Sequence, residues 1–159
     1  MGLDMYLTKE HYVKNWDHTK PGMRHKVTVK RGGIIRRDIK PERICTVVED
    51  VGYWRKANHI HAWFVDNCQN GVDECQRTWI PDEKLRELLD LCTRVRDDHS
   101  LAEELLPSRG GFFFGSTEYD DGYFEDIELT IKILKDLFGD DEKGASAMGV
   151  ADIYYHSSW

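Results

Sequence analysis

The sequence predicts an α+β domain built on a mainly antiparallel or mixed sheet, with about three helices packed on it. Two observations carry this. Segments with strand-like alternation bunch in the first third while helical repeats are interspersed later, giving the order strand, hairpin, strand, helix, short strand, helix, strand, helix, strand. The 159 residues, 40% hydrophobic and 32% charged, suffice for one well-filled domain and are short for two, so residues 1–159 are expected to form a single domain.

Leu3-Asp4-Met5-Tyr6-Leu7-Thr8 alternates apolar and polar side chains, the period of a strand. A polar, His-rich connection follows to Pro21-Gly22, anchored only by Trp16. Residues 25–30 and 34–37 flank Arg31-Gly32-Gly33, and a Gly-Gly step adopts the positive φ angles of a tight hairpin turn. Residues 44–48 are a short β-branched run ending before Gly52. The acidic pair Glu49-Asp50 is of the kind a helix start favours, so the next helix is allowed to begin slightly before Gly52.

Residues 53–65, Tyr-Trp-Arg-Lys-Ala-Asn-His-Ile-His-Ala-Trp-Phe-Val, read as that helix. At about 100° per residue, Ala57, Ile60 and Phe64 share a face, with Trp54 and Val65 to one side and Trp63 to the other. A helix apolar nearly all round is normally buried, and its polar groups then need partners or a ligand. Trp54, Asn58 and His61 fall in one stripe along a flank, with Arg55 and His59 in the neighbouring one. Either the stripe walls a pocket or its polar groups are satisfied inside the core, for instance by Asp126, Asp4 or backbone carbonyls.

Residues 66–75 carry the acids and Asn-Gly step of a calcium loop, but counting from Asp66 puts Cys68 at the third ligand position and Arg77 at the twelfth, where a bidentate Glu is needed. Asn70-Gly71 is better read as the turn closing the helix. A short strand is expected at residues 77–80. Pro81 opens a helix with Leu85, Leu88, Leu89, Cys92 and Val95 at helical spacing. Residues 100–103 have a capping-box pattern for a helical turn stopped by Pro107.

Three phenylalanines between glycines, residues 110–115, fit a central strand buried on both faces. Thr117 and Asp120 then match a capping box opening a long helix, with a core stripe of Phe124, Ile127, Ile131, Leu134 and Phe138 and a second stripe of Tyr119, Tyr123, Asp126 and Thr130. Unpaired backbone N–H groups and hydroxyls at Gly115-Ser116-Thr117 would suit an anion at that helix start, although Glu118, Asp120 and Asp121 already supply negative charge. Residues 139–144 read as a solvated loop and residues 152–159 as a closing strand, in which Tyr155 and Ser157 face away from Tyr154 and His156.

The net charge of −7 hides an asymmetry. Residues 1–45 carry eleven Lys and Arg against five Asp and Glu, and the remainder eleven against twenty-four. Nucleic-acid binding over the whole surface is therefore not expected, though the basic third can serve locally. There is no run of eighteen apolar residues and no secretory leader, so a cytoplasmic protein without membrane contact is expected. Cys45, Cys68, Cys75 and Cys92 form no C-x-x-C pair and are expected to be reduced.

No metal or cofactor is expected. His59 and His61, two apart, diverge by about 200° on a helix and cannot chelate one ion. No nucleophile elbow, P-loop or dinucleotide fingerprint occurs, and Cys92 lies on a core stripe.

The opening Met1-Gly2-Leu3-Asp4-Met5-Tyr6-Leu7, the run Gly52-Tyr53-Trp54-Arg55-Lys56-Ala57-Asn58 with Ile60-His61 and Trp63-Phe64-Val65, the Asn70-Gly71-Val72-Asp73 turn, residues 111–120 and the Tyr-rich tail to Trp159 together form a pattern. On it, the chain resembles a group of small uncharacterised proteins of bacteriophage and bacterial genomes. The resemblance implies a phage or mobile-element setting, in which accessory and counter-defence roles are common, and implies no catalytic residue.

The expected function is a small accessory protein binding, and in some cases sequestering, a nucleotide-like anionic small molecule. Trp54 or Tyr119 would stack on a ring, Arg55 or Lys56 would meet the anion, and Asn58 and His61 would direct hydrogen bonds. Ser116, Thr117, Tyr123 and Asp126 complete the candidate set. Two alternatives stand beside it. One is a hydrolase or nucleotide-processing enzyme using His61 as general base, oriented by Asp126 or Asp73. The other is an inhibitor that blocks a host protein through the acidic surface.

Overall fold

The computed structural model describes residues 2–139 and 151–159. In chain order its elements are β1 (Asp4–Tyr12), a miniature hairpin of β2 (Lys30–Arg31) and β3 (Ile34–Ile35), β4 (Thr46–Arg55), α1 (Asn58–Cys68), β5 (Thr78–Trp79), α2 (Asp82–Asp97), the single turn α3 (Ala102–Leu105), α4 (Asp121–Phe138) and β6 (Ala151–Ser158). The α+β class follows directly. Among the described residues the main sheet is β4-β1-β6-β5, every pairing antiparallel, and three long helices cover one of its faces.

The sheet is organised by alternation along β1. Met5 and Leu7 point into the core and meet Trp54 and Gly52 on β4 and Ser157 and Tyr155 on β6. Gly52 is required by the helix above it. A Cβ there would stand 2.8 Å from Ile133 Cγ2 and 3.1 Å from the Trp54 ring, closer than packed atoms tolerate. The β1–β4 register shifts between Leu7 and Thr8, and beyond this bulge the ribbon leaves the core. From Lys9 to Val51 no residue is buried.

Helix α1 is buried at every position from Asn58 to Val65, and Phe64 stacks on Tyr155 of the sheet at 3.9 Å between ring centroids. Leu85, Leu88, Cys92 and Val95 of α2 face Ile127, Ile131 and Leu134 of α4 in the same core. The Asn70-Gly71 turn closes α1 with both residues at positive φ, 56° and 73°. All four cysteines are free thiols. No helix among the described residues is long and apolar enough to cross a membrane.

Several expectations are corrected. Tyr53, Trp54 and Arg55 belong to strand β4, so the helix begins at Asn58 and neither Glu49 nor Asp50 starts it. In an apolar stretch the two periods are hard to separate, and pairing with β1 decides: Gly52 and Trp54 turn inward while Tyr53 and Arg55 turn outward. The strand expected at residues 110–115 does not form. Phe114 N–H bonds to Gly111 O (3.2 Å) in a tight turn, leaving Phe112 95% exposed and only Phe114 buried. A Cβ on Gly111 would meet the Phe114 ring at 2.6 Å, so that glycine serves the turn and not a strand.

Helix α4 is capped by Asp120, whose Oδ1 accepts from Tyr123 N–H (3.1 Å), and not by Thr117. Asp98, not Ser100, holds the turn before α3 through Ser100 N–H (3.0 Å). The hairpin around Gly32-Gly33 is real, with both glycines at positive φ, but each arm is only two residues long. Residues 140–144 of the expected loop lie outside the described residues.

Candidate functional site

Strand β4 ends at Arg55, and Lys56 turns the chain into α1 at φ 62°. This turn is pinned from one side by Lys56 N–H donating to Leu3 O (2.8 Å). From the other side Gly115, at φ 86°, sits so close that a Cβ would lie 3.1 Å from Lys56 Cβ. The loop is fastened by Asn58. Its Nδ2 donates to Phe114 O (3.1 Å) and Ser116 O (2.7 Å), and its Oδ1 accepts from Arg109 N–H (3.0 Å).

A cleft of about 280 Å³ opens between this pinned turn and the first turns of α4. Arg55 and Lys56 supply two cations to it, and Glu118, Asp120, Glu125 and Asp126 supply carboxyl groups. Backbone at Gly115, Ser116 and Gly122 and the rings of His59 and Tyr123 complete the wall. The His59 ring lies over Tyr123 at 4.0 Å between centroids, and the Tyr123 hydroxyl donates to Leu106 O (2.8 Å).

Burial tunes these groups in opposite senses. The Asp126 carboxyl is pushed up to about 7, first by loss of water and then by the charges of Glu125 and Asp120. Burial pushes His59 down to about 3, so its imidazole is neutral at physiological pH. Tyr123 is raised, again chiefly by burial. The His59 Nε2 atom is buried with no hydrogen-bond partner among the described residues. A carboxyl that changes charge near pH 7 beside a neutral imidazole with unused hydrogen-bonding capacity suits a polar ligand or a proton in transit. No group of three His, Cys, Asp or Glu among the described residues is placed to hold a metal ion.

Of the residues singled out in the sequence, Arg55, Lys56, Asn58, Ser116, Tyr123 and Asp126 line this cleft. Trp54, His61, Thr117 and Tyr119 do not. Trp54 is fully buried on the sheet's core face, and its Nε1–H donates to Thr130 Oγ1 (2.8 Å). His61 is only 1% exposed, with Nδ1 bonded to the Tyr155 hydroxyl (2.7 Å) and Nε2 to Asp73 Oδ2 (2.9 Å). Both ring nitrogens are occupied, so His61 has none to offer a substrate. Asp73 is indeed its partner; Asp126 is not. Tyr119 accepts a hydrogen bond from Ser108 N–H (3.3 Å) and sets its ring edge against Tyr123.

The shared stripe of Trp54, Asn58 and His61 therefore does not exist, because Trp54 is on a strand. His59, Glu118, Asp120 and Glu125 also line the cleft without being in the candidate set. The sequence pairs His59 with Arg55 on one helical flank, which does not form because Arg55 ends strand β4. The acids read as ordinary partners of a helix dipole, and Asp120 does serve as one while also lining the cleft. The anion seat expected at residues 115–117 is displaced. The helix starts at Asp121, and Asp120 already fills its N-terminus. Compared with protein families, with curated proteins and with solved structures, the chain matches none.

Proposed function

We propose that this chain binds a nucleotide-like small molecule in the cleft between the turn after β4 and the start of α4. The observation that carries the reading is the convergence, in the lining of one cleft, of Arg55 and Lys56 with the half-buried Asp126 carboxyl and the His59 ring, whose buried Nε2 has no partner among the described residues. An anionic group fits the cationic end. A polar ring fits the inner end, where Asp126 offers a donor when protonated and an acceptor when not.

Sequestration without chemistry is the leading form of this reading, in keeping with the resemblance to phage-borne accessory proteins. One observation favours catalysis as a second reading: a carboxyl titrating near pH 7 is suited to general acid–base work. In that case Asp126, and not His61, is the proton-handling group.

Thermal unfolding with the common ribonucleoside monophosphates, the matching nucleosides and inorganic phosphate tests the proposal. Binding to the native state alone adds about 2.7 kcal/mol at a hundredfold excess over Kd. At least one nucleotide should raise Tm more than its nucleoside or phosphate does, and the excess should vanish in Arg55→Gln/Lys56→Gln. If none of these compounds moves Tm, the reading fails. Turnover of the bound nucleotide, lost in Asp126→Asn, would select the catalytic form.

A further inference from the structure

Residues 13–45 project from the ends of β1 and β4 as an arm without a single buried residue. The arm carries ten Lys and Arg against three Asp and Glu, while the rest of the chain carries twelve against twenty-six. Arg36 is paired with Asp38, and Arg24 spends its guanidinium on the carbonyls of Thr19 and Asp17. Among the described residues, the other eight cations enter no ion pair with a carboxylate. Like charges held this densely with no core beneath them repel one another, and a polyanion relieves that repulsion. Trp16, 48% exposed with Lys14 Nζ 4.2 Å from its ring centre, adds a stacking surface on the arm.

A second observation is independent of charge. The face of the main sheet turned away from the helices carries an aromatic ring on each of its four strands. Tyr6 on β1 stands between Tyr53 on β4 (5.4 Å) and His156 on β6, the latter stacked at 4.8 Å. Tyr154 on β6 lies opposite Trp79 on β5 and carries the Arg77 guanidinium 3.5 Å over its ring. Tyr53 and Trp79 remain about half exposed, and Arg55 turns to the same face as Tyr53 at the end of β4.

The acids of this face are largely engaged. Asp4 accepts from the Tyr53 hydroxyl (2.5 Å), Glu10 pairs with Arg77, and Asp152 accepts from the Trp79 indole (3.2 Å). Asp50, at the rim, has no such partner among the described residues. Beyond the bulge at Leu7 and Thr8, strands β1 and β4 run on as a paired ribbon to the root of the arm.

We propose that the open sheet face and the basic arm form one binding surface for single-stranded nucleic acid. Bases extend the ring pile at its Tyr53 end and stack near Trp79, while phosphates follow the arm's lysines and arginines. A single strand is specified because only unpaired bases expose their flat faces to such rings. Sequence tolerance follows, since every base has such a face. The acidic helical side confines the strand to this surface. Arg55, the last residue of β4, is the one residue named for both sites; Tyr53 and the arm lie outside the cleft, so each site can fail without the other.

The test is fluorescence anisotropy of a labelled mixed-sequence strand of about 20 nucleotides and of its duplex, titrated with the intact chain across a salt series. The single strand should bind more tightly than the duplex, with affinity falling as salt rises. Changing Lys26, Lys30, Arg31 and Arg37 to Gln should flatten the slope of log K against log salt by up to about 3. Tyr53→Ala should weaken single-strand binding about tenfold. All five residues are exposed, so the variants should melt like the parent. Absence of binding at low salt, equal affinity for duplex, or unchanged binding by both variants overturns the proposal. So does salt-sensitive self-association through the arm with no oligonucleotide bound.

Discussion

Asn58 holds Ser116 across the mouth of the cleft: its side-chain amide donates to the Ser116 carbonyl at 2.7 Å and to that of Phe114 at 3.1 Å, while its oxygen receives Arg109 N–H. This residue was expected to touch a ligand. Instead it fixes the wall that a ligand would touch, with its hydrogen bonds made inside the protein.

Asn58→Ala should therefore lower unfolding free energy by about 1–3 kcal/mol, the cost of leaving buried polar groups unpaired. Asn58→Asp should be no better, because a carboxylate cannot donate to the two carbonyls. Urea denaturation measures both; a change within the scatter of the measurement would show that the loop is held by something else.

Trp54 and Thr130 tie the sheet to α4. Thr130 Oγ1 accepts from the indole (2.8 Å) and donates to Asp126 O (2.7 Å). Thr130→Val keeps the volume but strands the buried indole N–H, and should cost about 1–3 kcal/mol. Thr130→Ser, which keeps the hydroxyl, should lose much less. Equal losses in the two variants would assign the effect to packing rather than to the bond.

Two of the perturbed cleft residues, Asp126 and His59, make opposite contributions to stability against pH. Asp126 is raised to about 7 from an ordinary value near 4, so the folded state holds a proton that the unfolded chain has released. Its contribution falls as pH rises from about 4 to about 7. His59 is lowered to about 3 from 6.5, so the unfolded chain holds the extra proton. Its contribution is complete above pH 6.5 and is lost as pH falls toward 3. Between pH 4 and 6.5 the two slopes oppose each other. Asp126→Asn should unmask the His59 slope, making stability rise with pH across that window, and should raise stability at pH 8. Chemical denaturation at several pH values reads this, and a variant with the same profile as the parent would contradict it.

His61 is a structural link in a chain running from Tyr155 through Asp73 to the Trp159 indole, which donates to Asp73 Oδ1 (3.1 Å). His61→Gln should lower stability by about 1–3 kcal/mol and leave nucleotide affinity in the cleft within about twofold of the parent, a difference of about 0.4 kcal/mol. A large loss of affinity or turnover with stability intact would restore it as a site residue. Calorimetric titration and unfolding together separate the two outcomes.

How far the sequence alone could reach depended on where period and pairing agree. Alternation in residues 3–8 and 152–159 gives both central strands of the sheet, and the Leu85 to Val95 and Ile127 to Leu134 repeats give the long helices, because there burial follows the local period. Between Gly52 and Ala57 the local pattern fits either period, and the choice rests on β1, some fifty residues away in sequence. The phenylalanine run misled for a related reason: composition suggested a buried strand, whereas Gly111 and Gly115 turn the chain so that three like side chains reach three different environments. Arg55, Lys56, Asn58 and Asp126 were legible as polar groups in unusual settings. Which of them face one another was not, since that depends on the turn at Lys56.

The central claim is that a small anionic ligand sits in the cleft between Arg55 and Asp126, and amide chemical-shift mapping with the ribonucleoside monophosphate that most raises Tm tests it most directly. Shifts concentrated at Arg55, Lys56, Gly115, Gly122, Tyr123 and Asp126, with the Trp54 indole and the His61 ring undisturbed, are the predicted result. Shifts confined to the open sheet face or to the Trp54 and His61 side chains, or none at all at saturating nucleotide, would contradict it.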